Sequence, residues 1–259
     1  MTYANQRVNY DLIAHLYDEP GRDYVADPNL SEFIKEKAGQ QTFCPQILDM
    51  GCGTGKQLTA NHKYFSGAKA TGLDLSYRML LQARKRCPEI DWVQGNSANP
   101  PFSDDRFDYI TNQFSYHHIP NKDRLISETY RILKPGGRLV ITNLDPWSMT
   151  SWIVYTFFPE SMQRDFADFF TMDQLTALMR AVGFCDIRTS WKHSHNEENL
   201  NDFLQYAFRR HRTSQLMAIQ DVYYEAGIAK LREAVAKLGL EACVSSEICL
   251  VWIMGDKPR

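Results

Sequence analysis

From about residue 45 to residue 145 short β-rich runs alternate with helical ones, and no other feature of the chain restricts its fold as strongly. Such alternation marks βαβ units, in which successive strands lie parallel in one sheet and the helices between them cover its faces. Five strands are expected, at Gln46–Met50, Lys69–Asp74, Asp91–Gln94, Tyr109–Asn112 and Arg138–Asn143. Helical patterns separate them, among them Ser76–Cys87 and Lys122–Leu133. In the second, Leu125, Ile126, Thr129, Tyr130, Ile132 and Leu133 form a mostly apolar face, and Lys134-Pro135-Gly136-Gly137 stops the helix.

Beyond the fifth strand, Thr171-Met172-Asp173-Gln174 reads as a capping box opening a helix with Leu175, Leu178, Met179 and Val182 on one face and Gly183 at its end. A sixth strand follows near Ile187–Trp191, and the apolar run Ile248–Met254 completes a sheet of seven. The chain of 259 residues then divides into an N-terminal helical lid (1–44), a core (45–145), a cap segment (146–170), a core helix and strand (171–194), a helical cap insertion (195–240) and a C-terminal core strand (241–259).

Composition narrows the function. Formal net charge is −2, so no overall positive field would draw in a polyanion, and a small-molecule partner fits better than nucleic acid. Met1–Arg7 has no apolar core of a signal peptide and no stretch approaches the length of a membrane span, so no membrane partner and a cytoplasmic location are expected. Six cysteines, Cys44, Cys52, Cys87, Cys185, Cys243 and Cys249, lack paired metal-ligand spacing and read as reduced thiols, and no metal is expected.

Chemistry concentrates in Leu48-Asp49-Met50-Gly51-Cys52-Gly53-Thr54-Gly55-Lys56, a glycine-rich turn between a strand and a helix. Glycine permits positive φ and close approach of a ligand to the backbone, and at the first βα turn of a doubly wound sheet such a loop floors a nucleotide crevice. Asp74, 19 residues after Gly55 at the end of the second strand, can accept hydrogen bonds from both hydroxyls of a ribose. The spacing is G-x-G-x-G, whereas a dinucleotide site calls for G-x-G-x-x-G, so a nicotinamide cofactor is disfavoured. The plain alternative is a tight turn, with Asp74 only capping the helix that starts near Ser76.

These motifs together resemble the class I methyltransferases that use S-adenosylmethionine, especially those similar to the ubiquinone-biosynthesis and related small-molecule enzymes. The resemblance spans residues 45–145 well and the ends loosely. It implies an α/β, Rossmann-like, seven-stranded, mostly parallel sheet with helices on both faces and a largely helical cap. It places Asp49 near the methionine amino group of the cofactor, Gly51 and Gly53 against its methionine portion, Asp74 on the ribose, Leu75 beside the adenine, and main-chain atoms near Asn112 and Gln113 at the methionine end. The family's usual Gly-Asp-Ala after the third strand is here Gly95-Asn96-Ser97-Ala98; the Asn96 amide oxygen can accept from the adenine amino group without a charge.

Methyl transfer neutralises a sulfonium, so it depends on in-line positioning and exclusion of water, sometimes with a base for the acceptor. Tyr10 and Tyr17 lie in a segment that resembles the lid folding over the cofactor, though an amphipathic surface helix explains them equally. His117 and His118 follow the fourth strand, where either can serve as the base or simply bond the backbone. The aromatic residues between Trp147 and Phe170 belong to a cap core or line an acceptor pocket, and Arg209–Arg212 is a solvated helix face or a site for an acidic acceptor. The expected function is methyl transfer from S-adenosylmethionine to a small metabolite; the alternatives are a non-methylating use of the same cofactor, such as cyclisation releasing methylthioadenosine, a cofactor-binding module without turnover, and a nicotinamide-dependent oxidoreductase.

Overall fold

The computed structural model describes residues 8–18, 24–38, 43–65 and 67–259. The expectations for Met1–Arg7 and for part of the segment 1–44 lie outside the described residues. In chain order the elements are α1 (Tyr10–Ile13), α2 (Pro28–Ala38), β1 (Gln46–Met50), α3 (Lys56–Tyr64), β2 (Lys69–Asp74), α4 (Tyr77–Arg86), β3 (Asp91–Gln94), β4 (Phe107–Gln113), α5 (Lys122–Ile132) and β5 (Leu133–Leu144). They continue with α6 (Ile153–Phe157), α7 (Pro159–Asp168), α8 (Met172–Val182), β6 (Cys185–Asn199), α9 (Leu200–Phe208), α10 (Ser214–Ala218), α11 (Asp221–Leu238) and β7 (Cys243–Asp256).

The sheet has seven strands in the order β3-β2-β1-β4-β5-β7-β6, and β1 to β5 pair in parallel. Chain direction along the sheet reverses between β1 and β4, the switch point outside whose carboxyl ends open α/β sheets bind ligands. The first three strands fall at the expected bounds, and β1 and β2 are buried along nearly their whole length, as parallel strands covered on both faces are.

By packing, the chain separates into two units. Residues 10–143, 172–190 and 252–259 form the first, which holds β1 to β4 and nearly all of β5. Part of its core joins Leu30 and Phe33 of α2, Ile47, Leu58, Leu80, Trp92, Tyr109 and Val140. Arg138, 3% exposed, is held by Asp256 at 2.7 Å and Glu36 at 2.8 Å, which fastens α2 and the end of β7 to β5. Trp92 fills the space between α4 and the glycine loop. A Cβ on Gly55 would lie 2.3 Å from its ring, and Gly55 has a φ of +74°, where only glycine sits without cost. Gly55→Ala is therefore expected to cost about 2–5 kcal/mol, lowering Tm by roughly 5–15 °C in a thermal melt.

β5 begins earlier than expected. Lys134–Gly137, read from sequence as a helix stop, does end α5 but is at once taken into the sheet. Gly136 N donates to Lys257 O at 2.8 Å and Lys257 N donates to Gly137 O at 2.9 Å. A Pro-Gly-Gly run signals only a break; the distant partner that makes it a strand is a tertiary matter.

The second unit comprises residues 144–171 and 191–251, with residues 8 and 9. Its core gathers Met149, Ile153, Val154, Tyr155 and Phe158 with Leu200, Phe203, Leu204, Ala207, Leu216, Ile228 and Leu231. The aromatic residues at 155 and 158 thus serve packing, while Trp147 stacks on Phe166 with ring centroids 5.4 Å apart. Tyr155 donates to buried Asp165 at 2.6 Å, and burial pushes the Asp165 carboxyl up to about 7. Arg210 bonds the Leu216 carbonyl at 2.7 Å and Asp221 at 2.6 Å and lies over the Tyr224 ring, so it ties this unit together.

β6 corrects the sequence reading. It runs to Asn199, so residues 195–199, expected in the helical insertion, are strand. His195 Nδ1 lies 3.2 Å from Glu247 and His193 Nε2 3.6 Å from the Cys249 thiol, which sets β6 against β7. Most of β6 is exposed, so it lacks the apolar alternation by which strands are found.

Candidate active site

The carboxyl ends of β1, β2 and β4 converge on one cleft. Gly51 N and Cys52 N donate to the Leu73 carbonyl at 2.7 and 3.1 Å, folding the loop after β1 over the end of β2. Gly53 N donates to Asp74 Oδ2 at 2.7 Å and Ser76 N to Asp74 Oδ1 at 2.8 Å, so Asp74 closes the loop and also begins α4. From β4, Asn112 Nδ2 and from the turn after it Ser115 Oγ both donate to the Met50 carbonyl, at 2.7 and 3.0 Å. Gly51 and Gly53 take positive φ, +80° and +53°. A Cβ on Gly51 would strike Ser115, whereas one on Gly53 would meet nothing within 4 Å, which leaves room against that backbone.

Of the residues expected in the site, Tyr10, Tyr17, Asp49, Gly51, Gly53, Asp74, Gln113 and His118 line this cleft together. Leu75, Asn96, Ser97, Asn112 and His117 are not on its wall. Leu75 is 71% exposed beyond the end of β2. Asn96 is exposed and its side-chain oxygen accepts from Ala98 N at 2.9 Å; that oxygen keeps a second lone pair outward. Ser97 and Asn112 are buried, the latter beneath the glycine loop. Tyr24, Cys52, Thr54, Lys56, Gln57, Met79, Phe114 and Ser115 complete the lining. Thr54, Lys56 and Gln57 follow from the loop's own extent, but no sequence pattern marks Tyr24 or Phe114.

The electrostatics of the cleft are one-sided. Asp49 is 3% exposed and, among the described residues, its Oδ1 has no hydrogen-bond partner. Burial, with the nearby charges of Asp74 and Asp27, pushes its carboxyl up to about 7. Burial also raises Asp74, against the N–H bonds of Ser76 and Gly53 that favour its ionised form. A buried acceptor without a donor, among like charges, is costly unless a cation completes it. The ammonium of an amino acid supplies what is missing, and the free backbone at Gly53 leaves space beside it. These residues fit S-adenosylmethionine.

Residues 10–18 are fastened to the same loop by two carboxylates. Asp11 accepts from Ser76 Oγ at 2.5 Å and from Arg78 N at 3.1 Å, at the start of α4. Asp18 accepts from Thr54 Oγ1 at 2.7 Å and pairs with Arg86. Tyr10 is thereby placed with its hydroxyl 2.7 Å from His118 Nε2. The His117 and His118 rings touch, with centroids 3.9 Å apart and planes tilted by 45°. His117 is buried and its Nδ1 accepts from Asn143 Nδ2 at 3.0 Å, while burial, His118 and Lys122 hold its pKa well below the usual imidazole value. It stays neutral. Among the described residues no group of three or more metal-ligating side chains occurs, and no helix is long and apolar enough to cross a membrane.

Residues 48–141 match the family model described as a methyltransferase domain. Over these residues the core carries a methyltransferase domain, similar to those of class I S-adenosylmethionine-dependent enzymes. The domain's relatives include phthiotriol/phenolphthiotriol dimycocerosates methyltransferase 1 of Mycobacterium ulcerans, 33% identical over 138 residues, or 52% of this chain and 49% of that one. Another is the ubiquinone/menaquinone biosynthesis C-methyltransferase UbiE of Desulfotalea psychrophila, 32% identical over 152 residues, 57% of this chain and 61% of the relative. The chain thus spans only about half to three fifths of the length of these curated relatives. Among solved structures, a putative methyltransferase from an antibiotic biosynthesis pathway of Anabaena variabilis superposes with a TM-score of 0.65 at 18% identity, covering 90% of this chain and 99% of the other. At that identity the likeness concerns the methyltransferase fold, and it agrees with the seven-stranded sheet read from the hydrophobic runs.

Proposed function

We propose that the chain transfers the methyl group of S-adenosylmethionine to a nucleophilic atom of a small metabolite. The observation that carries the reading is Asp49, a buried carboxylate oxygen without a donor, at the switch point of a methyltransferase sheet. Asp49 holds the methionine ammonium, Gly51 and Gly53 admit the methionine chain, and Asp74, with lone pairs to spare beyond its two N–H bonds, accepts from the ribose hydroxyls. Main-chain atoms at Asn112 and Gln113 close the methionine end, Leu75, Asn96 and Ser97 form the adenine rim, and Tyr17 closes over the cofactor from residues 10–18. That two relatives bear names of lipid and quinone methylation supports a metabolite as acceptor.

When bound, the cofactor supplies an electrophilic methyl group on a sulfonium. The chain's own residues must exclude water and receive the proton that an N–H, O–H or C–H acceptor gives up. Tyr10 stands in the cleft with its hydroxyl on His118 Nε2, so its oxygen takes the acceptor's proton as its own passes to the imidazole. His118 is the base in this relay. His117, off the cleft wall and kept neutral, is a positioning residue that fixes the ring packed against it.

The test is calorimetric titration with S-adenosylmethionine, S-adenosylhomocysteine and NAD, followed by mass spectrometry of the turned-over cofactor. Binding of the first two, with S-adenosylhomocysteine formed in the presence of acceptor, is the expected result. Methylthioadenosine as product would replace methyl transfer by the non-methylating reading, and binding of NAD alone would overturn both.

A further inference from the structure

We infer that Phe114 is a specificity-determining residue of the cofactor site: its ring selects the positively charged S-adenosylmethionine over the neutral S-adenosylhomocysteine. The inference rests on the cofactor reading above. Phe114 is one of three non-glycine residues with positive φ among those described, at +52°. A bulky aromatic side chain in the left-handed region is costly, and it persists only where the surroundings over-determine it. They do so here on both sides. Phe114 N donates to the Thr142 carbonyl at 2.9 Å, one step beyond the Gln113–Thr142 pairing of β4 with β5. Ser115 then donates to the Met50 carbonyl, and His118 N returns to the Ser115 carbonyl at 3.0 Å. The chain turns sharply between these anchors.

The turn leaves the ring 46% exposed on the cleft wall. Neither packing nor the backbone accounts for phenylalanine at this position, since glycine would take the same φ without strain. What the ring adds is a π face on the wall of the cleft that Gly51 and Gly53 also line, where the cofactor reading puts the methionine portion. Tyr10 and Tyr17 line the same cleft, and lysine and arginine offer it little positive charge, because Lys56 lies 3.4 Å from Asp18. An aromatic wall among carboxylates favours a cation by its quadrupole and gives a neutral thioether only van der Waals contact. Methyl transfer turns the first ligand into the second, so the same preference lets fresh cofactor displace the spent one.

Three variants test this by calorimetry, with thermal melts of the free proteins. Phe114→Leu keeps bulk and strain but removes the quadrupole, Phe114→Trp keeps an aromatic face, and Phe114→Gly removes both ring and strain. S-adenosylmethionine should bind Phe114→Leu and Phe114→Gly about three- to tenfold more weakly, with S-adenosylhomocysteine affinity unchanged and Phe114→Trp like the parent. The free Phe114→Gly protein should melt no lower than the parent. Equal losses for the two ligands, or no loss for either, would overturn this inference alone, as would a lowered melting temperature with an unchanged affinity ratio, which would make the ring a packing group. A parent protein that binds neither ligand would overturn the cofactor reading and this inference with it.

Discussion

Asp49→Asn is expected to weaken S-adenosylmethionine binding by about 100-fold or more while making the free protein more stable above pH 7. Both effects have one cause. The Asp49 carboxyl is buried, near Asp74 and Asp27, with its pKa pushed up to about 7, against about 3.9 in an unfolded chain. Between those values the folded protein keeps a proton that the unfolded chain has lost. Stability is therefore greatest below about pH 4 as far as this group is concerned, and falls as pH rises to about 7, by a few kcal/mol in the absence of ligand. Asn removes the charge and with it the fall. Asp165, also raised to about 7, gives a decline of the same sign, so the informative quantity is the difference between parent and variant. Chemical denaturation at pH 5 and pH 8 measures it; identical pH dependence in the two proteins would refute the assignment. The ligand's ammonium restores the charged form, so binding to the parent below pH 7 should release a proton, seen as a buffer-dependent heat that Asp49→Asn lacks.

Tyr10→Phe should lower kcat by about 10²- to 10³-fold with cofactor affinity within a few-fold of the parent, because the hydroxyl acts on the acceptor's proton and general-base catalysis is worth that much. His118→Ala should fall as far, and the double variant little further, since two groups in one relay are lost as a unit. Steady-state kinetics with single-turnover controls would show it. Strictly additive losses would mean that the 2.7 Å contact between Tyr10 and His118 is structural only. His117→Gln keeps a polar group near Asn143 and should lower kcat less than either, through disorder of the His118 ring that packs against it.

The positions of the site were legible to different degrees. Gly51, Gly53 and Asp74 could be read because their roles are local: each sits within a residue or two of a strand end, and the strands were marked by apolar runs. Asp49 was legible as a position, but its unmet oxygen was not, since that depends on everything packed around it. Asn112 was expected to contribute main-chain atoms; its side chain turned out to hold the Met50 carbonyl from below. Asp11 and Asp18, the two carboxylates that fasten residues 10–18, belong to the Tyr-Asp pairs that resemble the family's lid segment, but their partners, more than 30 positions away, carry no signal in the sequence.

By itself the sequence determined the alternation of strand and helix, the bounds of β1 to β3 and the place of the glycine loop. Hydrophobic periodicity and backbone permissiveness act over a few residues and need no distant partner. Only the tertiary structure decided that Lys134–Gly137 joins the sheet, that β6 runs fifteen residues with most of its side chains in water, that Tyr10 meets His118 and that Phe114 is held at positive φ. Each of these rests on hydrogen bonds between segments far apart in the chain, whose formation depends on which surfaces the packed sheet brings together.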